Sequence, residues 1–410
     1  MNDEFTPLSV SITKNLDKAT KKSNGIYFTP HSIIKNILDF IQVYSKLNKL
    51  KIKNVLEPSC GSCQFVNYID KILKNINIDA IELNYSIFLK IQNLKYNNHV
   101  EITNKDFLQF NTEKKYDLII GNPPYYVMKK NEIDKYYNQF YEGRPNIYVP
   151  FIVKSLSMLK NKGILSFVLP NNFLNCYYYN KLRYYIHNNF RILKIKIYNE
   201  TSYIETGQET CSITLQKLNP KNEDFVFVKN DFIIFNSQEN IKKIKNLYHN
   251  TTTISDLGFN VSVGSVVWNQ VKNYLTNDST KTRLIYNSDI VENKLNPKKY
   301  KDEDKKNFID LDKLNKKPIL KPLLVVNRGY GKGEYTFSYC LLDTENPFII
   351  ENHLICIKSN EDIDKNVLIE KYKTIINSFN NEKTKEFVKI YFGNNAINTK
   401  ELETILPIYI

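Results

Sequence analysis

The stretch YDLIIGNPPYYVMKK, residues 116–130, runs an apolar strand into Asn122, Pro123, Pro124 and Tyr125. Neither proline has an N–H to donate, so the backbone must leave a sheet at Asn122. The Asn122 carboxamide oxygen and the Pro123 carbonyl then form two acceptors on a stiff turn, suited to the two hydrogens of one planar NH₂ group. Drawing both hydrogens aside raises lone-pair character on a conjugated, poorly nucleophilic nitrogen. Fixed dipoles aimed at developing charge do this without a side-chain base. Tyr125 can lie over a flat substrate, and its π-face also suits a cationic donor such as a sulfonium. A proline turn with a buried tyrosine is the plainer alternative, and the residues around it weigh against that.

Three further strand ends carry acids. In EPSCGSC a carboxylate and a proline (Glu57, Pro58) precede a small-residue turn (Ser59, Cys60, Gly61) that lets backbone N–H groups approach a ligand. Glu82, in AIELN, suits vicinal hydroxyls, because a carboxylate accepts both hydrogen bonds. Asp106-Phe107 offers an acceptor for an amino group beside an aromatic wall. Each alone reads as a solvated strand-end carboxylate; together they describe a nucleoside pocket. Cys60 and Cys63 also spell C-x-x-C, which raises a metal or a redox dithiol. Structural zinc wants a second pair at comparable spacing, and none exists here, so no metal is expected.

The elements that must position these residues alternate. GIYFTPHSIIKNILDFI (25–41) reads as a loop and an amphipathic helix with Pro30 at its first turn. Then come a strand into Glu57, a helix, a strand into Glu82, a helix, a strand into Asp106 and a strand into Asn122. PFIVKSLSMLKNKGILSFVLP adds a helix and a fifth strand, and ILKIKIYNE and TCSITLQKL two more. Such alternation predicts an α/β fold, a doubly wound, mostly parallel sheet with right-handed crossovers. Ligands in such sheets sit beyond the carboxyl ends of the strands, where all four acidic or amide positions fall. After LNPKNED the character changes to short strand-like pieces and one amphipathic helix, VLIEKYKTIINSFN, an α+β pattern. Residues 1–220 are therefore read as one domain and 221–410 as a second.

Bulk properties bound the function. A chain of 410 residues, 42% hydrophobic, can fill two ordinary cores. No apolar run approaches the roughly 20 residues that span a bilayer, and MNDEFTPLSV lacks a basic-then-apolar leader, so no membrane partner and a cytoplasmic location are expected. Six scattered cysteines fit reduced thiols. A net charge of +14 suggests a polyanionic partner.

In order, GIYFTP, VLEPSCGSC, AIELN, NKDF, GNPPYYV, NIYVPF and GILSFVLP resemble the successive motifs of the S-adenosylmethionine-dependent N6-adenine DNA methyltransferases. The order is that of the subgroup with cofactor motifs first and the target-recognition domain last. The resemblance covers residues 23 to 217 and implies a Rossmann-like methyltransferase domain with S-adenosyl-L-methionine as cofactor. Thr29, the turn Pro58, Ser59, Cys60 and Gly61, and Glu57 would hold its methionine part; Glu82 would bind the ribose and Asp106 the adenine amino group. Phe107 and Phe151 would enclose the adenine ring. Asn122 and Pro123 would grip the target amino group, with Tyr125 stacked on the target base. A second aromatic, Tyr203 or else Tyr198, would cover the other face. The family usually has glycine where this chain has Cys63.

The target adenine would have to leave the duplex stack, at a cost of a few kcal/mol. Protein glutamine methyltransferases share the four-residue turn but carry their extra domain before the sheet, whereas here it follows, which favours double-stranded DNA. Residues 221–410 hold 28 Lys and Arg against 25 Asp and Glu, so most of the excess positive charge lies in the first half. Candidate DNA contacts are Lys129 and Lys130 after the tyrosines, Trp268, and Arg328, Tyr330 and Lys332 in NRGYGKGEYTFSY. The expected activity is adenine-N6 methylation of DNA, in a restriction-modification system with a separate endonuclease or in a solitary methylase. An RNA adenine methyltransferase and a non-catalytic DNA-recognition protein are the alternatives.

Overall fold

The computed structural model describes residues 4–144, 146–198, 209–298, 300, 304–312, 314–328, 337–392 and 397–410. The chain divides into two compact units, Met1–Lys242 and Lys243–Ile410.

The first unit is built on seven strands: β1 Asn54–Glu57, β2 Asn77–Glu82, β3 His99–Asn104, β4 Tyr116–Gly121, β5 Leu159–Pro170, β6 Arg191–Tyr198 and β7 Thr210–Gln216. They lie in the order β3-β2-β1-β4-β5-β7-β6. β1 to β5 pair in parallel, and β7 runs antiparallel to both β5 and β6. This is the doubly wound, mostly parallel α/β sheet that the strand–helix alternation predicts. Strand order reverses at β1 and β4, which are direct neighbours with Val55 opposite Leu118 and Leu56 opposite Ile119. Ligands bind beyond such a switch point.

Seven α-helices belong with this sheet among the described residues: α1 Pro7–Asn15, α2 Lys18–Asn24, α3 His31–Leu47, α4 Gln64–Ile72, α5 Tyr85–Ile91, α6 Tyr148–Met158 and α7 Asn180–Asn189. Alternate β5 residues divide them into two layers, because successive side chains of a strand point to opposite faces. Ile164 and Val168 pack with Ile33, Ile37, Phe65 and Ile87 of α3, α4 and α5. Leu165, Phe167 and Leu169 pack with Phe151, Ile152 and Leu182 of α6 and α7.

The loop and amphipathic helix read in residues 25–41 are found, the helix α3 starting at His31 with Pro30 as its N-cap and running on to Leu47. The helices α1 and α2 before it were not expected, although both carry start signals. Thr6 caps α1 by accepting from the Ser9 N–H, with Pro7 at the first helical position, and Asp17 caps α2 by accepting from the Thr20 N–H.

The first unit also extends past residue 220. The hairpin Val226–Lys229 and Phe232–Phe235 is joined in antiparallel register, and Phe225, Val226, Ile233 and Phe235 are buried in the same core as Phe173. A change of composition marks a domain edge poorly when the next apolar hairpin is needed to finish the preceding core.

The second unit holds one antiparallel sheet of Phe259–Val263, Leu354–Ser359, Leu323–Asn327 and Tyr339–Leu342. A further sheet of four short strands includes Thr282–Ile285 and its three companions. Helices Lys365–Phe379, Glu382–Phe392 and Thr399–Thr404 complete an α+β unit. Among the described residues no helix is long and apolar enough to cross a membrane.

Candidate active site

The carboxyl ends of β1, β2 and β4 open onto a cavity of about 880 Å³ in the first unit, lined at its floor by Glu57, Pro58, Ser59, Cys60 and Gly61. Thr29, Glu82, Asp106, Phe107, Asn122 and Phe151 complete the predicted set around it. Pro123 and Tyr125 do not line it, and Pro123 is buried.

The turn after β1 is shaped by backbone bonds. The Cys60 N–H donates to the Ile81 carbonyl at 2.8 Å and the Cys63 N–H to the Cys60 carbonyl at 2.7 Å. Gly61 has φ +54°, and a Cβ there would lie 2.9 Å from the Phe28 ring. Its N–H donates to Glu82 at 2.8 Å, and the other Glu82 oxygen accepts from the Asn84 N–H at 2.7 Å. Each carboxylate oxygen keeps a further lone-pair site for a ligand hydroxyl.

Cys63 takes the left-handed conformation, φ 61°, at the N-cap of α4. Its side chain is wholly buried among Val55, Phe65 and Ile69 rather than lining the cavity. The left-handed backbone explains why glycine suits this position, and the inward thiol shows how a cysteine is accommodated without filling the site.

Two polar atoms in this region are buried without a hydrogen-bond partner, Thr29 Oγ1 and Glu57 Oε2. Burial, then the adjacent Cys63 thiol and Glu82, holds the Glu57 carboxyl well above the ordinary range. Burial also raises Glu82, opposed by the N–H groups of Asn84 and Gly61. Two buried acidic side chains lining the cavity with no ion-pair partner among the described residues, together with the unpartnered Thr29 Oγ1 and Glu57 Oε2, form a cradle for a polar, cationic ligand. Farther along the wall the Phe107 and Phe151 rings lie 4.9 Å apart at 46°. The Asp106 side chain caps the turn there by accepting from the Leu108 N–H at 2.8 Å.

The amide turn is held as firmly. Asn122 Nδ2 donates to the Tyr27 carbonyl at 2.9 Å, and Ser59 Oγ donates to the Asn122 carbonyl at 3.2 Å. A carbonyl can only accept, so the Tyr27 contact assigns the amide orientation and turns the oxygen end away from Tyr27. That oxygen accepts from the Tyr125 hydroxyl, which also lies 2.7 Å from the Val168 carbonyl. The Tyr125 ring is partly buried and meets Tyr148 edge-on at 6.2 Å.

Other predicted residues fall elsewhere. Tyr198 is buried at the end of β6, where its hydroxyl pairs with Ser212 at 3.0 Å and burial pushes its pKa up to about 12. It packs with Val168 on the face opposite the core that Tyr125 joins. Tyr203, Tyr330 and Lys332 lie outside the described residues. Lys129 is exposed and faces Glu132 at 3.8 Å, at the start of the short turn Lys130–Glu132. In the second unit Trp268 opens a 3₁₀ turn with the Lys272 ammonium 5.6 Å from its ring centroid. The Arg328 guanidinium donates to the Asn352 carbonyl at 3.3 Å.

Sequence reasoning missed the supports behind these groups. Gln64 Nε2 donates to the Thr29 carbonyl at 2.9 Å, and Ser9 of α1 meets Ser62 at 2.7 Å and also donates to Gln64. Tyr27 acts on Asn122 through its backbone, which no residue type announces. A polar triplet in a helix start, Ser9 with Ser62 and Gln64, becomes visible only when residues 53 and 55 positions apart are brought together.

A family model described as Eco57I restriction-modification methylase matches residues 8–203. The chain is 26% identical over 412 residues to the type II methyltransferase M.CvrRI of Paramecium bursaria Chlorella virus XZ-6E, with 99% of each chain covered. It is 27% identical over 414 residues to the modification methylase CviBIII of Paramecium bursaria Chlorella virus NC1A, with 98% of each covered. Among solved structures it is similar in fold to a DrdV–DNA complex determined by cryo-EM, with a TM-score of 0.52 and 13% identity, covering 94% of this chain and 55% of that one. The cofactor is S-adenosyl-L-methionine, whose cationic methionine portion suits the buried acidic side of the cavity at Glu57. These matches, with the cradle beyond β1 and the amide turn beyond β4, support an S-adenosylmethionine-dependent DNA methyltransferase.

Proposed function

We propose that this DNA methyltransferase modifies N6 of an adenine rotated out of duplex DNA. The observation that carries the reading is the Asn122 carboxamide on the cavity lining, held at its nitrogen by the Tyr27 carbonyl and at its oxygen by the Tyr125 hydroxyl, which leaves that oxygen a second lone pair for a ligand. With the Pro123 carbonyl it supplies two acceptors for one exocyclic NH₂, which adenine presents and thymine does not. S-adenosyl-L-methionine supplies an electrophilic methyl group. The chain's own part is to keep the nitrogen's lone pair directed and to hold the reacting atoms roughly 3 Å apart.

In this reading Thr29, Glu57 and the turn Pro58–Gly61 hold the methionine portion, Glu82 the ribose, and Asp106, Phe107 and Phe151 the adenine. Tyr125 stacks on the everted base, and stacking offsets part of the few kcal/mol that extrusion costs. Catalysis belongs to the first unit and target recognition to the second, where Trp268 and Arg328, with Tyr330 and Lys332, meet DNA. A separate endonuclease would cut the same site when it is unmodified.

The test is transfer of labelled methyl from S-adenosylmethionine to plasmid DNA, followed by nucleoside analysis. The expected product is N6-methyladenine in DNA, with structured RNA unlabelled. Asn122→Ala should lower turnover by at least 100-fold, about the effect of deleting one preorganised donor or acceptor at a reacting centre. Label in RNA alone, in cytosine, or undiminished in Asn122→Ala would overturn the reading.

A further inference from the structure

Tyr125 has two chemically separate parts, and the proposed stacking uses only the ring. The hydroxyl lies within hydrogen-bonding distance of two acceptors, the Asn122 carboxamide oxygen and the Val168 carbonyl at 2.7 Å. A hydroxyl has one hydrogen, so it serves one of them at a time. Its partner Asn122 is bound at the opposite end, where Nδ2 donates to Tyr27 at 2.9 Å. The carboxamide is therefore bracketed, its nitrogen by a backbone carbonyl from the loop before α3 and its oxygen by the phenol three residues along its own turn.

We propose that the Tyr125 hydroxyl is a positioning group for Asn122, fixing the direction of the amide oxygen before the target arrives and passing its hydrogen to the Val168 carbonyl as the target amino group binds. The inference rests on the reading that Asn122 accepts from that amino group. Without the hydroxyl, the carboxamide would be anchored only at its nitrogen and could swing about the terminal torsion, which is broad for asparagine. The substrate would then have to order the acceptor during the reaction, and the loss would appear in turnover. With the hydroxyl, the donated hydrogen always has an acceptor. Before binding, the hydrogen bridges to Asn122; afterwards it bridges to Val168, on the β5 strand adjacent to β4. The exchange costs no buried unpaired donor, which would otherwise oppose base binding. The T-shaped contact with buried Tyr148 keeps the ring edge in place while the hydrogen changes partner.

Removing the oxygen while keeping the ring separates the two jobs. Tyr125→Phe should reduce kcat about tenfold, with KM for DNA and for S-adenosylmethionine each within about twofold of the parent and the melting temperature nearly unchanged. The parallel variant Tyr125→Ala, which removes ring and hydroxyl together, should raise KM for DNA as well as lower kcat. An unaltered kcat in Tyr125→Phe would overturn the proposal, as would a fall in kcat matched by an equal rise in KM for DNA, since the hydroxyl would then serve binding. Asn122→Ala distinguishes this failure from failure of the underlying reading. An inactive Asn122→Ala beside a fully active Tyr125→Phe refutes the hydroxyl's role alone, whereas an active Asn122→Ala refutes both.

Discussion

Glu57 is a buried carboxyl held above the usual carboxylate range by burial, with one oxygen lacking a partner. A group whose folded pKa exceeds its unfolded one binds more protons when folded, so it stabilises least at high pH: stability falls as pH climbs from the ordinary carboxylate range through the raised value. Glu57→Gln, which cannot ionise, should therefore be more stable than the parent at pH 8 and lose that advantage near pH 4. The same change should weaken cofactor binding at least tenfold at pH 8, because a neutral amide cannot complement a cation. Thermal melts at the two pH values and calorimetric titration with S-adenosylmethionine check both halves. A stability gap that does not vary with pH would show that ionisation of Glu57 is not its source. The residue's type and its place at a strand end were legible in the sequence. Its missing partner was not, since an orphaned oxygen is a property of everything that surrounds it. Asn122 shows the same limit: the amide and the prolines could be read directly, while the carbonyl of Tyr27 that orients the amide belongs to a backbone.

At the scale of elements, the five parallel strands and their order of appearance followed from the alternation of apolar runs with amphipathic ones. The antiparallel course of β7 and the two helices before α3 did not. The first depends on a connection whose residues 199–208 lie outside the described ones. The second was signalled by Thr6-Pro7 and Asp17, helix-start chemistry that a search for apolar periodicity passes over. Gly25 ties these helices to the amide turn. It ends α2 in the left-handed conformation, and a Cβ on it would fall 2.5 Å from the Tyr125 backbone nitrogen. Gly25→Ala should thus push the loop carrying Tyr27 away from the amide turn, cost about 1–2 kcal/mol of stability and cut turnover at least tenfold. Urea denaturation and methyl-transfer kinetics read the two effects, and a fully active, equally stable variant would mean that this close approach is not maintained in solution.

At the scale of the molecule, the apolar residues named in both layers of the first unit, including the hairpin at 226–235, precede Lys243. Residues 1–242 alone should fold and bind S-adenosylmethionine within about threefold of the full chain, while their affinity for DNA drops more than tenfold and becomes more weakly selective. Circular dichroism, calorimetry and a salt series of DNA titrations would test this; a fragment that remains unfolded would show that the units depend on each other for stability. Composition hinted at two bodies but misplaced their junction by a hairpin, because the charge and turn signals after residue 217 begin before the core is closed. The positive charge likewise misdirects if taken alone, since most of the excess lies in the half that holds the cavity.

β1 and β4 are hydrogen-bonded neighbours, so the small-residue turn beyond β1 and the amide turn beyond β4 spring from adjacent strands, about 4.8 Å apart. In the proposed reaction the working gap is consequently written into backbone pairing, within a sheet whose strands among the described residues all precede Lys242. If the second unit chooses the target, as proposed, mutational drift after that point can rewrite which DNA words are marked while the stroke of the pen stays the same.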